Sequence, residues 1–395
     1  MSTATSLHAL GRSLDDPESL GRALDELLTA PPILLALGEP VHGIAAFPLL
    51  RNEILGQLVE RGYRSIALET DLFAASVVDD YVNGAESDIE TVLATGFSHG
   101  FGTVPGNREL VEWLRDYNSG RAAQDRIRFH GFDAPLEISA APGPRRFLTA
   151  VLDYLPAALR PASALDLDTL LGEDSAWTNP AAVYEPTASV GDSDRARALR
   201  VVADDLVSVL HRAAPGLRPA DPTGYDHAVA HARTALGLLR YHAAMATPGP
   251  DRVAILLSLR AEMMAQNLLA IVARERRRGP TLAFAHNILL RRTESAGASG
   301  SAGALVALAL GDRYAFVATD ASLDHRPGTF QAILAEATTR RTLFPAPALR
   351  AALPSTVDTG EPIVRGHIPL DAAEVDRADA VVFIADTDGE QHWEW

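Results

Sequence analysis

The chain has 395 residues, 47% of them hydrophobic, and a formal net charge of −16 at pH 7. All 35 basic residues are arginine and cysteine is absent, which excludes disulfides, thiolate metal sites, cysteine nucleophiles, Schiff-base lysines and a P-loop lysine. The acidic balance argues against nucleic-acid binding. We find neither a secretory leader nor a membrane-spanning apolar run. A cytoplasmic protein without nucleic-acid or membrane partners is therefore expected.

The N-terminal region contains the most informative turn in the chain. Residues 1–30 predict one lead-in helix, and an apolar run at 33–37 predicts a buried strand. That strand ends in Gly38-Glu39-Pro40-Val41-His42-Gly43, where the proline and the glycines indicate a tight turn, and an amphipathic helix follows at 47–61. Glu39 and His42 are therefore predicted on a strand-to-helix loop, where α/β sheets bind ligands. A simple β-turn with a solvated histidine is the alternative interpretation.

The remaining strands alternate with helices along the chain. Short apolar runs predict them at 64–70, 126–133, 280–287, 313–319 and 380–386. Such alternation indicates an α/β fold with a largely parallel central sheet covered by helices. We predict a first part of the α/β core at 1–142, a helical insertion or lid at 143–279 and a second part of the core at 280–395.

The predicted insertion is rich in alanine, leucine and arginine with helical periodicity. Helices are expected near 145–160, 193–213, 223–246 and 252–278, with a proline- and glycine-rich break at 214–222. Three histidines, His227, His231 and His242, fall on one stripe of the third helix. A histidine pair spaced four residues apart can bind a metal. No glutamate stands between them and no thiolate exists, so we predict polar contacts on a lid helix and no metal.

Four predicted strands end in polar residues. Glu39 and His42 follow the first, Glu69 ends the second, Asp133 ends the third, and His286 with Asn287 ends the strand at 280–287. Because the carboxyl ends of parallel strands meet at one edge of a sheet, we expect these side chains in one crevice. A histidine beside carboxylates suits general acid–base catalysis. Asp133 could either orient His42 or cap the following turn, and both interpretations stay open.

The stretch 94–108 is rich in glycine and suits a substrate-binding loop, with His99 and Asn107 as candidate contacts. No Gly-x-Ser-x-Gly elbow is present, which argues against a serine-hydrolase triad. The glycine fingerprints of the common nucleotide cofactors are absent as well. We therefore predict catalysis without a cofactor.

A set of collinear motifs carries a resemblance to a known family. The motifs are Gly38-Glu39-Pro40-Val41-His42-Gly43, Arg51-Asn52-Glu53, Ile66-Ala67-Leu68-Glu69, Glu112-Trp113-Leu114-Arg115-Asp116-Tyr117-Asn118, Gly131-Phe132-Asp133, Met264-Ala265-Gln266-Asn267, Ala285-His286-Asn287 and Leu310-Gly311-Asp312-Arg313-Tyr314. In order and approximate spacing they resemble the erythromycin esterase family over most of the chain. The resemblance implies an α/β fold with a helical lid, and hydrolysis of a macrolide lactone without a required metal.

The same resemblance implies roles for individual residues. His42 would be the base that activates water, and Glu39 and Glu69 would orient it or tune its pKa. Arg51 and His286 would bind the substrate carbonyl or stabilise developing negative charge. Nine residues of unbroken helix would turn Arg51 about half a circle away from His42, so both can face one site only if His42 precedes the helix.

Two departures from the family pattern affect the predicted reaction and substrate. The family has a second histidine three residues after the first in Ala-His-Asn, and here that position is Leu289. The tryptophan-rich stretch of the family is replaced by Phe101-Gly102-Thr103-Val104-Pro105-Gly106-Asn107. Aromatic walls usually shape apolar pockets, so the substrate is expected to differ from the macrolides of the true esterases.

Three functional hypotheses follow. The first is an enzyme that hydrolyses an ester or lactone of an apolar, macrolide- or polyketide-like small molecule, in antibiotic resistance or natural-product biosynthesis. The second keeps the Glu/His site but catalyses a cyclisation, an elimination or an intramolecular acyl transfer with water excluded. The third is a non-catalytic protein that binds a small molecule, haem or a metal. A monomer or a homodimer would suit each of them.

Overall fold

The computed structural model describes residues 3–137, 140–293, 300–322 and 326–387. Its strands are β1 (Arg12–Ser13), β2 (Leu34–Glu39), β3 (Ser65–Asp71), β4 (Arg128–Asp133), β5 (Thr281–His286), β6 (Tyr314–Ala321), β7 (Arg341–Pro345) and β8 (Ala380–Ile384). The helices are α1 (Thr3–Leu10), α2 (Pro17–Leu27), α3 (Ala46–Glu60), α4 (Ala75–Val82), α5 (Ile89–Gly96), α6 (Asn107–Asn118), α7 (Arg145–Tyr154), α8 (Leu167–Leu171), α9 (Asp174–Trp177), α10 (Asp194–Ala220), α11 (Pro222–Ala246), α12 (Arg252–Glu275), α13 (Asn287–Leu290), α14 (Ala302–Leu310), α15 (Phe330–Glu336) and α16 (Ala346–Ala352).

The chain divides into two compact units. One comprises Met1–Asp133 with Leu268–Trp395 and contains the sheet, and the other is Ala134–Asn267 and contains helices. The prediction that a helical insertion serves as a lid stays a prediction. The helix α12 is long and apolar enough to cross a membrane by length and composition alone. Half of its apolar window is buried inside the protein, as in the core helix of a folded domain, so it is weak evidence for membrane insertion.

All strands belong to one sheet with the order β1-β7-β8-β6-β2-β5-β3-β4. Strands β8, β6, β2, β5, β3 and β4 pair in parallel, whereas β7 and β1 add antiparallel pairs at one side. The predicted α/β fold with a largely parallel sheet is therefore confirmed. The strands that carry the polar ends, β2, β5, β3 and β4, are direct neighbours, and Glu39 is in register with His286.

The central strands are buried on both faces. Every residue of β2 and β5 is buried, which explains why their sequences read as continuous apolar runs without alternation. Leucines and phenylalanines from β2, β3, α3 and α6 form the main apolar cluster against the sheet. This packing fixes the register of the strands, because a slip by one residue would move polar side chains into the core.

Three details of the predicted elements were wrong. One helix was predicted for 1–30, but residues 3–30 form α1, the short strand β1 and α2, because Asp16 caps a new helix that starts at Pro17. The break predicted at 214–222 is limited to Asp221, since α10 continues to Ala220 with Pro215 inside it and α11 begins at Pro222. The end of α10 is exposed, so water can bond the carbonyls that the prolines leave unpaired. The strand β7 was missed because it is short and ends in proline.

Gly38 in β2 permits a close approach between neighbouring elements. A Cβ atom at this position would lie 2.1 Å from Asn287 Oδ1 and 3.0 Å from a ring carbon of Phe316. A Cβ on Gly56, inside α3, would meet no atom within 4 Å.

We expect Gly38→Ala to lower the free energy of unfolding by about 1–3 kcal/mol, because the methyl group overpacks the space beside Asn287. Gly56→Ala is the matched control and should raise it by about 0.5–1 kcal/mol, because alanine is the better helix former. Urea unfolding followed by circular dichroism measures both values. Equal stability of the two variants would contradict the tight packing of β2.

Candidate active site

The site is built around a hydrogen bond between two buried side chains. Glu39 is the last residue of β2, and His42 lies in the turn that follows. Glu39 Oε1 is 2.7 Å from His42 Nδ1, and both side chains are less than 10% exposed. Gly43 has a φ of 89°, a left-handed conformation that favours glycine and lets the chain turn before α3 begins at Ala46. His42 therefore precedes the helix, which is the condition for Arg51 to face the same site.

Two further charged side chains lie around this pair. The His42 Nε2 atom is 3.8 Å from Oε2 of Glu69 on β3. Arg51 on α3 is 1% exposed and donates hydrogen bonds from Nη1 to Asn107 Oδ1 (2.8 Å) and from Nη2 to the carbonyl of Gly106 (3.0 Å). The backbone N–H of His286 donates to Glu69 Oε2 at 2.9 Å. The structure thus brings together side chains from three adjacent strands and from α3.

These groups line a small cavity with a volume of about 20 Å³. Its lining residues are Glu39, His42, Pro48, Arg51, Leu68, Glu69, Phe97, Phe101, Val104, Asn107, Phe284 and Ala285. Polar groups thus cluster at one place on an otherwise apolar surface, as is usual in small-molecule sites. The apolar members Leu68, Phe97, Val104 and Phe284 were missed by the sequence analysis, because nothing in the strand and helix patterns distinguishes them from core residues.

Burial changes the acid–base properties of the site. It raises the pKa of Glu39, although the hydrogen bond from His42 and the charge of Arg51 act in the opposite direction. It also lowers the pKa of Arg51 to about 10, so this guanidinium stays protonated at neutral pH. Glu39 Oε2 is buried and has no hydrogen-bond partner among the described residues. A buried carboxylate oxygen that faces a cavity and has no such partner can accept a hydrogen bond from a bound polar group.

His286 and Asn287 do not serve the cavity directly. His286 Nε2 donates to the Pro40 carbonyl at 2.9 Å, and its Nδ1 accepts the N–H of Ile288 at 3.3 Å. Asn287 bridges to β6 through the backbone of Thr319, with its Nδ2 donating at 2.8 Å and its Oδ1 accepting at 3.2 Å. In this structure the polar atoms of both residues bond the backbone that surrounds the site, and their predicted contacts with substrate stay predictions.

A second histidine–carboxylate pair occupies the end of β4. His99 Nε2 is 3.0 Å from Asp133 Oδ2, whereas the Nδ1 of His42 is bonded to Glu39. The two roles predicted for Asp133, orienting His42 and capping the following turn, stay predictions. Among the residues that the structure describes, His99 is the non-glycine residue with a positive φ, 59°. The ring of Phe101 lies between the two histidines, with centroids 4.8 Å from His42 and 5.3 Å from His99.

The histidines of the helical unit form no cluster of the metal-binding kind. Within the described ranges, no group of three histidine, aspartate or glutamate side chains is placed as metal ligands would be. His242 Nε2 is 2.9 Å from the carbonyl of Pro142 in the same unit. Burial lowers the pKa of His231 to about 4. His242 is buried and His231 is half-buried, and neither contact set indicates a metal.

The buried state of His286 predicts a specific dependence of stability on pH. Burial lowers its pKa to about 3, whereas an unfolded histidine titrates near 6.5. Between these values the unfolded chain binds a proton that the folded chain does not, so stability falls as the pH drops below 6.5. His286 alone should therefore lower the free energy of unfolding by about 2 kcal/mol between pH 7.5 and pH 5.0.

We expect His286→Gln to reduce this loss by about the same 2 kcal/mol. Glutamine cannot titrate, yet its amide can still donate to the Pro40 carbonyl. The measurement is urea unfolding of both proteins at pH 7.5 and pH 5.0, so that any difference in absolute stability cancels. An unchanged pH dependence in the variant would show that His286 is not buried as described.

Comparison with known proteins shows the family, over a range that begins after Glu39, His42 and Arg51. The family model for erythromycin esterase matches residues 58–359. No curated protein shows significant sequence similarity to the chain.

Three solved structures share the fold. They are a protein from Bacillus cereus (17% identity, 97% of this chain and 96% of that chain, TM-score 0.73), a succinoglycan biosynthesis protein (15%, 97% and 96%, 0.67), and a mutant of the erythromycin esterase EreC in its open conformation (18%, 93% and 93%, 0.67). At these identities the structures show a common fold, and the family match covers most of the chain. The chain therefore belongs to the erythromycin esterase family.

Proposed function

We propose that the protein hydrolyses an ester or lactone bond in an apolar small molecule, with His42 as the general base. The observation that carries this proposal is the 2.7 Å contact between Glu39 Oε1 and His42 Nδ1 in a cavity that also contains Glu69 and Arg51. An ionised Glu39 accepts the Nδ1 proton and thereby makes Nε2 the basic nitrogen. Membership of a family of esterases supports hydrolase chemistry.

The nucleophile in this proposal is a water molecule between His42 and Glu69. The separation of 3.8 Å between His42 Nε2 and Glu69 Oε2 is too long for a direct hydrogen bond and suits a bridging water. The cavity volume of about 20 Å³ is enough for one water molecule and supports this assignment. Glu69 then orients the water, and His42 removes its proton.

The reaction balances with these side chains. His42 Nε2 takes a proton from water while the water oxygen bonds to the acyl carbon, and the carbonyl electron pair moves onto oxygen. Arg51 stabilises the resulting negative charge. The carbon–oxygen bond to the leaving group then breaks, and protonated His42 returns its proton to the departing alkoxide. The products are a carboxylic acid and an alcohol, which stay in one molecule when the substrate is a lactone, and no step requires a metal or a cofactor.

The apolar side chains around the cavity support an apolar acyl group beside the attacking water, since the cavity itself has room only for that water. Phe97, Phe101 and Val104 come from one loop and face Leu68 and Phe284 on the sheet. We propose a polyketide-like lactone that differs from the macrolides of the true esterases, because one structural relative is an erythromycin esterase and the tryptophan-rich stretch of that family is replaced here. A role in antibiotic resistance or natural-product biosynthesis, in the cytoplasm, is part of the same proposal.

A second candidate function is a water-free reaction that uses the same base. It is favoured by Leu289, which stands where the family has a second histidine and cannot exchange a proton with substrate or leaving group. Another structural relative is named as a succinoglycan biosynthesis protein, so the fold also occurs outside esterases. His42 would then remove a substrate proton for a cyclisation, an elimination or an intramolecular acyl transfer.

Mass spectrometry of products from macrolides, simple lactones and linear esters separates the candidates. We expect wild-type protein to convert at least one substrate into hydrolysis products, which for a lactone is a single acid heavier by one water. His42→Ala should lower kcat/KM by about 10²–10⁴, because the general base is lost.

The matched control is His8→Ala, which removes an exposed histidine of α1 and should keep wild-type activity. A product of unchanged mass, or one that has lost a small group, would favour the second candidate. Full activity of His42→Ala would refute the proposed base.

The pH profile tests the Glu39–His42 pair. Because burial raises the pKa of Glu39, the carboxyl group of the pair takes up a proton at a higher pH than an ordinary carboxyl group does. The base requires the pair without that proton, so kcat/KM should fall on acidification through a pKa above 4.5. Glu39→Gln should lower kcat by about 10²–10⁴, since an amide donor at Nδ1 places the histidine proton on Nε2. A variant with the wild-type profile would refute the orienting role of Glu39.

A further inference from the structure

A buried histidine–carboxylate pair lies outside the proposed mechanism. Asp320 is near the end of β6, and His367 belongs to the segment between α16 and β8. His367 Nε2 is 3.0 Å from Asp320 Oδ1, and both side chains are fully buried. Neither residue lines the cavity that contains His42. A completely buried ionisable pair is costly unless every polar atom is bonded, so its contacts are informative.

The contacts fix the proton positions of this pair. The N–H of Ile363 donates to His367 Nδ1 at 2.8 Å, so the ring accepts at Nδ1 and donates from Nε2. Asp320 Oδ1 also accepts the N–H of Ala321 at 2.9 Å. Its Oδ2 accepts the N–H of Leu370 at 3.0 Å. The carboxylate therefore bonds the segment 363–370 at His367 and at Leu370, and His367 in turn bonds Ile363 at the start of the segment.

The clamped segment reaches the active-site turn through one backbone bond. The N–H of Ile368, the neighbour of His367, donates to the Pro40 carbonyl at 3.0 Å. The same carbonyl accepts His286 Nε2 at 2.9 Å. A carbonyl oxygen has two lone pairs, and here a donor from the sheet side and a donor from the segment each take one. Pro40 lies between Glu39 and His42, so this carbonyl sets the conformation of the turn that joins them.

We propose that His367 is a positioning residue for His42. Its bonds to Asp320 and Ile363 hold Ile368 in place, Ile368 holds the Pro40 carbonyl, and Pro40 holds the geometry of the Glu39–His42 contact. The effect on catalysis rests on the proposed function. The effect on the His42 ring does not, because the hydrogen bond to Glu39 exists without substrate.

The test compares three variants of the full chain. His367→Ala removes the clamp, and Ile368→Pro removes the donor to Pro40 while keeping His367 and Asp320. Thr281→Val is the matched control, since Thr281 Oγ1 makes a buried 2.8 Å contact with Ser65 Oγ at the opposite edge of the same sheet. The two readouts are the kinetics on an ester or lactone that wild type hydrolyses, and the NMR resonance of the His42 Nδ1 proton, assigned by its loss in His42→Ala.

We expect His367→Ala and Ile368→Pro to lower kcat about 10-fold with KM changed less than about 2-fold, because misplaced catalytic groups slow the chemical step. In both variants the His42 proton resonance should shift or broaden. Thr281→Val should lower stability yet keep kcat and the resonance. His367→Gln, whose amide can still donate to Asp320, should recover most of the lost kcat.

Several outcomes would overturn the proposal. A folded Ile368→Pro variant with wild-type kcat and an unchanged His42 resonance would overturn it. This result is decisive even if His367→Ala does not fold. A loss of kcat in Thr281→Val equal to that in His367→Ala would also overturn it, because the loss of activity would then follow the loss of stability alone. If no substrate is hydrolysed, the NMR comparison still decides the positioning role, so failure of the proposed function is recognised separately.

Discussion

The contact between Glu39 and His42 is the interaction on which the rest of the site depends. Burial opposes the ionised form of Glu39, and the carboxylate is tolerated because His42 and the guanidinium of Arg51 interact with it. Arg51 is itself fully buried, so it needs the carboxylate and the side chain of Asn107 in turn. Each charged group is thus stable only where the others are, which explains why elements far apart in sequence must meet at one point.

The parallel sheet brings the two carboxylates together, while the turn after β2 adds His42. The register of β2 with β5 sets Glu39 beside His286, and β3 on the other side of β5 brings Glu69 to the same edge. The strand ends are fixed by apolar packing along their whole length, because every residue of β2 and β5 is buried. The two carboxylates are therefore positioned by the hydrophobic core, whereas the turn that carries His42 is held by hydrogen bonds to the Pro40 carbonyl.

The sequence could predict which residues stand at the strand ends but not which atoms they bond. Glu39 and Glu69 were found because apolar runs end in carboxylates, and parallel topology makes such ends converge. His286 showed the same signal, yet its ring bonds the Pro40 carbonyl, a contact that depends on the turn geometry after β2. The pairing of Asp133 with His99 involves the left-handed backbone at His99, which no local pattern of residues predicted.

A comparable limit explains why the Asp320–His367 pair was missed. Asp320 follows the predicted strand 313–319, so the signal of a polar strand end was present. The sequence did not indicate the partner of Asp320, because His367 lies in a segment without periodic pattern and contacts Asp320 through the tertiary structure alone. Residues that act through such contacts leave no spacing in the sequence that a physical argument can use.

The two buried pairs differ in the contacts of their histidine rings, and this difference supports the separate roles that we propose for His42 and His367. Both rings face a carboxylate at 2.7–3.0 Å, and both are shielded from solvent. The ring of His367 is bonded at each nitrogen within 3.0 Å, so any proton transfer would break a bond that the fold requires. The Nε2 of His42 instead faces Glu69 across 3.8 Å in a cavity. In the proposed reaction His42 takes up and returns a proton at Nε2, and the proposed role of His367 is to hold the turn that carries His42.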